Sequence, residues 1–378
     1  MCDQPLHLVA SHPARTHDKL VSTHFRSSLT RYFAPKRIVQ RSLAPAVAIF
    51  FALSLLAWSV PSRAADLEKI RVTIPVPVFT FFPLYFGEEH GFFAKEGLSV
   101  ETISTNGDGP DVDAVIAGSA QFAASTPNRL FTSYQQGKRL LDVMTLTNRM
   151  SIDCFMNKAL ADKDGIKPDS PFEQKLKAMK DQTVAGTRPG AFTYLLLEAY
   201  AKRAGLTPQK DIKIIGIGGP NSMLPAVENG QVAVACIGSP TVELAVKRGK
   251  AIQFSYNLVG KDPAYNDFLF QHIYVSPEYA KEHPETVRKF IRGLLASVNY
   301  LVSTPVEKYL PALKKQFSGL PDDMLTTIFE ETRQTFRTDG VTTKESFKKA
   351  ADFLIETGAI KKSAPYDELV TNEYLASH

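Results

Sequence analysis

Residues 70–101, IRVTIPVPVFTFFPLYFGEEHGFFAKEGLSVE, admit few folds. The β-branched run at 70–74 predicts a buried strand. An aromatic loop follows, with Phe79, Thr80, Phe81 and Phe82, and then a short amphipathic helix over 84–90 closed by Gly91. Residues 92–98 lead into a second strand at 99–103. This is a β-loop-α-β unit. In open α/β sheets ligands sit at the carboxyl ends of the strands, so the loop after the first strand is the first place to look for a site.

The alternation continues along the chain. Helices are predicted over 111–117 and 129–136 and strands over 120–124 and 141–145. An extended stretch, 146–158, leads to a polar segment at 159–171 that reads as mobile. A second series follows, with strands at 183–186, 212–217 and 232–237 and helices at 190–204, 223–229 and 241–248. Residues 251–276 read as extended or irregular, and from 277 onward the chain is mostly helical. The simplest organisation is a first α/β lobe (65–148 and 270–378) interrupted by a second (149–269), with the C-terminal helices packing back on the first. Two extended crossings, near 147–153 and 256–272, would form the hinge.

Ahead of these lobes, residues 43–60 are almost wholly apolar, preceded by Arg31, Lys36, Arg37 and Arg41 and followed by Ser62-Arg63-Ala64. That is the order of a secretory signal peptide, with cleavage expected after Ala64 and a periplasmic mature protein. An uncleaved anchor is the alternative, at the short limit for a span and interrupted by Pro45. The leader carries eight of the 44 Lys/Arg and two of the 39 Asp/Glu, which leaves the remainder at a net charge of −1. The basic balance of the full chain therefore belongs to the leader and is no nucleic-acid footprint.

Of the cysteines, only Cys154 and Cys236 lie beyond the leader. They stand in strands of the same predicted lobe, either as two inert thiols or as one disulfide. There is no CxxC and no Cys/His cluster for a metal, and no GxSxG, HExxH, Walker loop or GxGxxG after a strand. The four histidines beyond the leader, His90, His272, His283 and His378, are scattered and read as surface or helix-end residues. No catalytic residue, cofactor or metal is expected.

Polar or aromatic groups do recur where a strand ends and a helix begins. They are Phe79, Thr80 and Phe81; Ser125, Thr126 and Asn128; Thr187, Arg188, Gly190, Ala191, Phe192 and Thr193; and Ser239 and Thr241. Gly107 and Asp108 join them from the turn after the second strand, where Asp beside Gly also reads as turn chemistry. Each Ser or Thr alone reads as a helix cap. Several such places converging from two lobes read as a binding cleft, because free N–H groups at helix starts bind anions. Arg188 could add a bidentate donor, or lie solvated at the surface. The aromatic rings could enclose an organic group or pack between loop and lobe, and Phe82, next to Pro83, reads as packing.

The order of PLYFGEEHGFFAKEGLSVE, GDGPDVDAVIAGSAQFAASTP, TVAGTRPGAFTYLLLEAYAKRAGL, VENGQVAVACIGSPTVELAVKRGKAI and VSPEYAKEHPETVRKFIRGLLASVNYLVSTP resembles the periplasmic solute-binding proteins of ABC importers of the nitrate/sulfonate/taurine type. That superfamily includes binding proteins related to thiamine-pyrimidine synthases. The resemblance implies a two-lobe type II binding-protein fold with two hinge crossings and an interlobe cleft. It implies capture of a small organic, anionic solute by a monomer that delivers it to an ABC permease with a cytoplasmic ATPase. It places ligand loops at 79–81, 106–109, 125–128, 187–193 and 239–241. The cysteine-rich iron-site motif of the pyrimidine synthases is absent, which argues against the enzyme branch; a sensory ligand-presenting role is a further alternative. PVFTFFP stands where pyrimidine-binding relatives carry an asparagine-rich loop, so the resemblance does not identify the solute.

Overall fold

The computed structural model describes residues 66–375. The expected leader and its cleavage point lie outside them. Ten strands form two five-stranded sheets. β1 (Glu68–Ile74), β2 (Leu98–Ser104), β3 (Phe122–Ser125), β4 (Leu141–Arg149) and β10 (Asn266–Val275) make the first, in the order β2-β1-β3-β10-β4. β5 (Ile152–Asn157), β6 (Thr183–Gly186), β7 (Lys213–Gly216), β8 (Val234–Gly238) and β9 (Ala251–Gln253) make the second, in the order β7-β6-β8-β5-β9. β1 pairs in parallel with β2 and β3, and β6 with β7 and β8, as strand-helix-strand connections require. The central strands are buried along their length, which is why β5 and β8 read as near-continuous apolar runs.

The chain passes from one sheet to the other at 150–151 and returns through 254–265. The return differs from the sequence expectation. Within the stretch read as extended or irregular, residues 266–275 form a ten-residue strand, antiparallel between β3 and β4, so the crossing ends before 266 and does not run on to 272. Gln271 and His272 interrupt its apolar pattern as buried polar residues, and Asn266 and Asp267 stand at its less buried start. The segment read as mobile, 159–171, is also partly ordered: Lys158–Lys163 form a helix whose N-terminus Asn157 caps, accepting from Leu160 N.

Helix Pro284–Ser303 lies against the short helices Phe82–Glu89 and Phe92–Lys95 of the first half. Phe290 stacks on Phe93 at 5.4 Å and on Phe122 at 4.1 Å between ring centroids. The last long helix, Lys344–Thr357, does not pack on the first half alone. It touches β10 and also helix Phe192–Arg203 of the second half. Phe353 stacks on Phe192 at 5.0 Å, and Lys202 Nζ donates to the carbonyls of Glu356 and Thr357 at 2.9 and 2.7 Å. The described residues form one compact unit. No helix among the described residues is long and apolar enough to cross a membrane.

Cys154 and Cys236 face each other directly across the β5–β8 pair, and their sulfurs are bonded. Of the two readings the sequence left open, the structure has the disulfide, set in the middle of the second sheet.

Candidate functional site

β1 and β3 of the first sheet and β6 and β8 of the second point their carboxyl ends at one another. The segments leaving those ends, together with the turn after β2, meet through four hydrogen bonds. Phe79 N donates to Ser239 O at 2.9 Å, and Asn128 Nδ2 donates to Gly190 O at 2.8 Å. Arg188 Nε donates to Asn106 O at 3.0 Å, and Phe192 N donates to Asp108 Oδ2 at 2.7 Å. The approach is close enough to need glycine. A Cβ on Gly238 would stand 3.2 Å from Val78 Cβ, and one on Gly107 would stand 2.7 Å from Arg188 Nε. Gly107 also has φ 132, which side-chain-bearing residues rarely adopt.

Between the two halves lies a cavity of about 30 Å³, room for roughly two water molecules. Val76, Val78, Phe81, Asp108 and Thr126 line it from the first half, and Thr187, Thr193 and Gly238 from the second. Gln271, on β10, reaches it too; its Oε1 is buried without a hydrogen-bond partner. Beside it a larger groove of about 880 Å³ opens between Pro77, Ser104 and Asn106 on one side and Arg188, Ser222 and Thr241 on the other.

Thr187 and Thr193 form one polar unit. Thr187 N donates to Thr193 Oγ1 at 2.8 Å, and the two hydroxyls are 2.9 Å apart. Two hydroxyl protons serve one mutual bond, so one proton is left for the cavity. Thr126 is held from behind: Tyr274 Oη donates to Thr126 O at 2.8 Å and lies 2.6 Å from His272 Nε2. His272 Nδ1 is in turn 3.0 Å from Asp142 Oδ2, with both side chains fully buried. His272 is therefore an interior residue under the cleft floor, not the surface residue that its scattered position implied.

Among the described residues, Asp108 is the one ionisable side chain lining the cavity. Burial, reinforced by the neighbouring Asp111 carboxylate, pushes it up to about 6, against the hydrogen bond from Phe192 N. Burial likewise raises Asp111, although Ser125 Oγ and Gly109 N donate to it. An ionised Asp108 is thus a cost to the folded state at neutral pH, relieved as the pH falls below about 6.

Phe81, Asp108, Thr126, Thr187 and Thr193 come together at the cavity, and Gly107, Asn128, Gly190 and the Phe192 N–H join the two halves around it. The other expected site residues lie elsewhere. The Phe79 ring is fully buried against Phe317 and Phe329, at 4.7 and 5.6 Å between centroids, because its turn (Phe79–Phe81) directs it into the first half. The Phe192 ring belongs to the aromatic cluster with Phe268, Phe270 and Phe353 behind the cleft. Ala191 is buried at the start of that helix. Thr80 is buried, and its Oγ1 has no partner. Ser125 serves Asp111, and Ser239 Oγ donates to Glu243 at 2.6 Å. Arg188 and Thr241 line the outer groove, not the cavity. The sequence reading missed Val76, Val78, Gly238 and Gln271. The alternation PVPV after β1 and the glycine ending β8 were available as signals, whereas Gln271 was hidden in a strand that was not recognised.

Two sheets that meet at their strand ends around a cleft define a two-lobe α/β fold of the periplasmic binding-protein kind. The chain belongs to the NMT1/THI5 like family, whose pattern matches residues 78–308. YtlA of Bacillus subtilis (strain 168) is 21% identical over 323 residues, which span 84% of this chain and 92% of YtlA. The periplasmic nitrate-binding protein NrtA from Synechocystis PCC 6803 superposes with a TM-score of 0.64 at 17% identity, covering 82% of this chain and 87% of NrtA. The alkanesulfonate-binding protein SsuA from Xanthomonas axonopodis pv. citri, bound to MOPS, does so at 0.62 and 17%, covering 81% and 99%.

Proposed function

We propose that this chain is an extracytoplasmic solute-binding protein that captures a small organic solute between its two sheets and hands it to an ABC permease driven by a cytoplasmic ATPase. The halves are two lobes hinged at 150–151 and 254–265, and the protein acts as a monomer by binding, without chemistry. The observation that carries this reading is the cavity at the facing strand ends, lined by Phe81, Asp108 and Thr126 from one lobe and Thr187 and Thr193 from the other. Its small volume corresponds to a closed clamp, so a solute is admitted only when the lobes part. The export signal in the sequence and relatives named for nitrate and alkanesulfonate binding support the same reading.

A thermal-shift panel of sulfonates, carboxylates, nitrate, pyrimidines and aromatic acids identifies the solute, since a ligand specific to the native state raises the melting temperature. With that solute, Thr187→Ala combined with Phe81→Ala should weaken binding by about 10- to 100-fold in calorimetry while the protein stays folded. Unchanged affinity would remove both residues from the site.

A further inference from the structure

The cavity between the two sheets is lined by acceptors and hydroxyls, and among the described residues no lysine, arginine or histidine lines it. Asp108 Oδ2 accepts from Phe192 N at 2.7 Å and lies 3.1 Å from Thr126 Oγ1. The Thr126 hydroxyl has a single proton and a nearer acceptor, Asn128 Oδ1, at 2.7 Å. Asn128 is fixed in that orientation, because its Nδ2 donates to Gly190 O at 2.8 Å. A carboxylate offers about four acceptor sites, so one firm donor leaves most of the capacity of Asp108 unused.

Gln271 is the second, independent observation. It is 4% exposed, it lines the same cavity from β10, and its Oε1 is a buried acceptor without a donor. The hydroxyls of Ser151 and of the Thr187–Thr193 pair also line the cavity, and a hydroxyl accepts as readily as it donates. An amide can be turned end for end, so the charges decide the sign of the site. Asp111 stands beside Asp108 and adds a second carboxylate. Arg129 offsets the pair only in part, since it lies 3.6 Å from a third carboxylate, Asp113. Arg188 Nε donates to Asn106 O, and Tyr274 brings no charge. Burial, and then the Asp111 charge, push the Asp108 carboxyl up to about 6. A cation in the cavity would lower it again.

We infer that the group recognised in this cleft is a positively charged nitrogen, an ammonium or amidinium group, held by the Asp108 carboxylate and the Gln271 side-chain carbonyl. The inference rests on the solute-binding reading and adds the chemical class of the solute. Such a group brings both N–H donors and positive charge to acceptors that lack them. An anion would instead be desolvated against Asp108 with no cation to receive it. The resemblance to nitrate- and sulfonate-type binding proteins implies an anionic solute, but the lining of this cavity has the sign that suits a cation.

Acetamidinium and acetate, planar isosteres of opposite charge, test this without a cognate solute. Each is titrated into the protein at constant ionic strength set with sodium chloride, and affinities are read from NMR shifts. Acetamidinium should bind at least about tenfold more tightly than acetate. Asp108→Asn keeps an acceptor for Phe192 N but removes the charge, and it should weaken acetamidinium binding at least about tenfold. Gln271→Leu should weaken it about threefold or more, and covers the case in which Asp108→Asn does not fold. Absence of acetamidinium binding, equal or tighter binding of acetate, or unchanged affinity in the variants overturns the inference. Acetate binding that Thr187→Ala combined with Phe81→Ala weakens would leave the solute-binding reading standing and sink this inference alone. Acetamidinium binding that none of these variants weakens would count against the cleft itself, so the two failures are separable.

Discussion

Truncating Phe79 to alanine is expected to destabilise the protein by about 3–5 kcal/mol and to leave solute affinity nearly unchanged. The ring is fully buried, edge-on to Phe317 and Phe329, and Phe82 packs on the same two rings at 6.2 and 5.3 Å. Removing it leaves a ring-sized void among aromatic side chains that cannot collapse to fill it. Phe81, two residues on, makes the contrasting case. It is equally buried but lines the cavity, so its truncation should act on binding as well as on stability. Urea unfolding of Phe79→Ala, with calorimetry on the same sample, separates the two effects. A loss under about 1 kcal/mol, or a large fall in affinity, would mean that the ring serves the cleft after all.

Breaking the Cys154–Cys236 crosslink should cost a comparable amount. The bond joins residues 82 apart in sequence, and closing a loop of that size in the unfolded chain corresponds to roughly 4–5 kcal/mol. The two strands it joins are buried along their length at the centre of the second sheet, so the double variant Cys154→Ala/Cys236→Ala also loses buried volume. Melting the oxidised protein, the reduced protein and the double variant side by side checks this. Identical melting of oxidised and reduced protein would contradict it.

Both outcomes turn on side-chain direction, which is where the sequence was least legible. Period and punctuation located most strands and the longer helices, but not the short helices Phe92–Lys95, Lys158–Lys163, Phe172–Lys177 and Tyr366–Leu369. The strand Thr183–Gly186 and the start of helix Thr241–Lys247 coincide with the sequence reading. The strand-end rule brought Phe81, Asp108, Thr126, Thr187 and Thr193 to one place. It could not say which way successive rings of Phe79-Thr80-Phe81 turn, since a single turn of 3-10 geometry sends Phe79 inward and Phe81 to the cleft. It also could not read β10. A buried strand that carries Gln271 and His272 has the polarity of a loop; only the fold sets His272 between Tyr274 and Asp142 and turns Gln271 to the cavity. The two-half character of helix Lys344–Thr357 was hidden for a related reason. Its amphipathic pattern specifies a buried face but not that the face is shared between two sheets.

The central claim is that the two sheets are lobes of a clamp, closed here and able to part. Ser104 and Ser222 line the outer groove from opposite sides, and spin labels at these positions report its width directly. A double electron–electron resonance distance distribution should contain a second, longer population in the solute-free protein. That population should vanish when a solute that raises the melting temperature is added. One narrow distance, the same before and after that solute, would contradict the clamp.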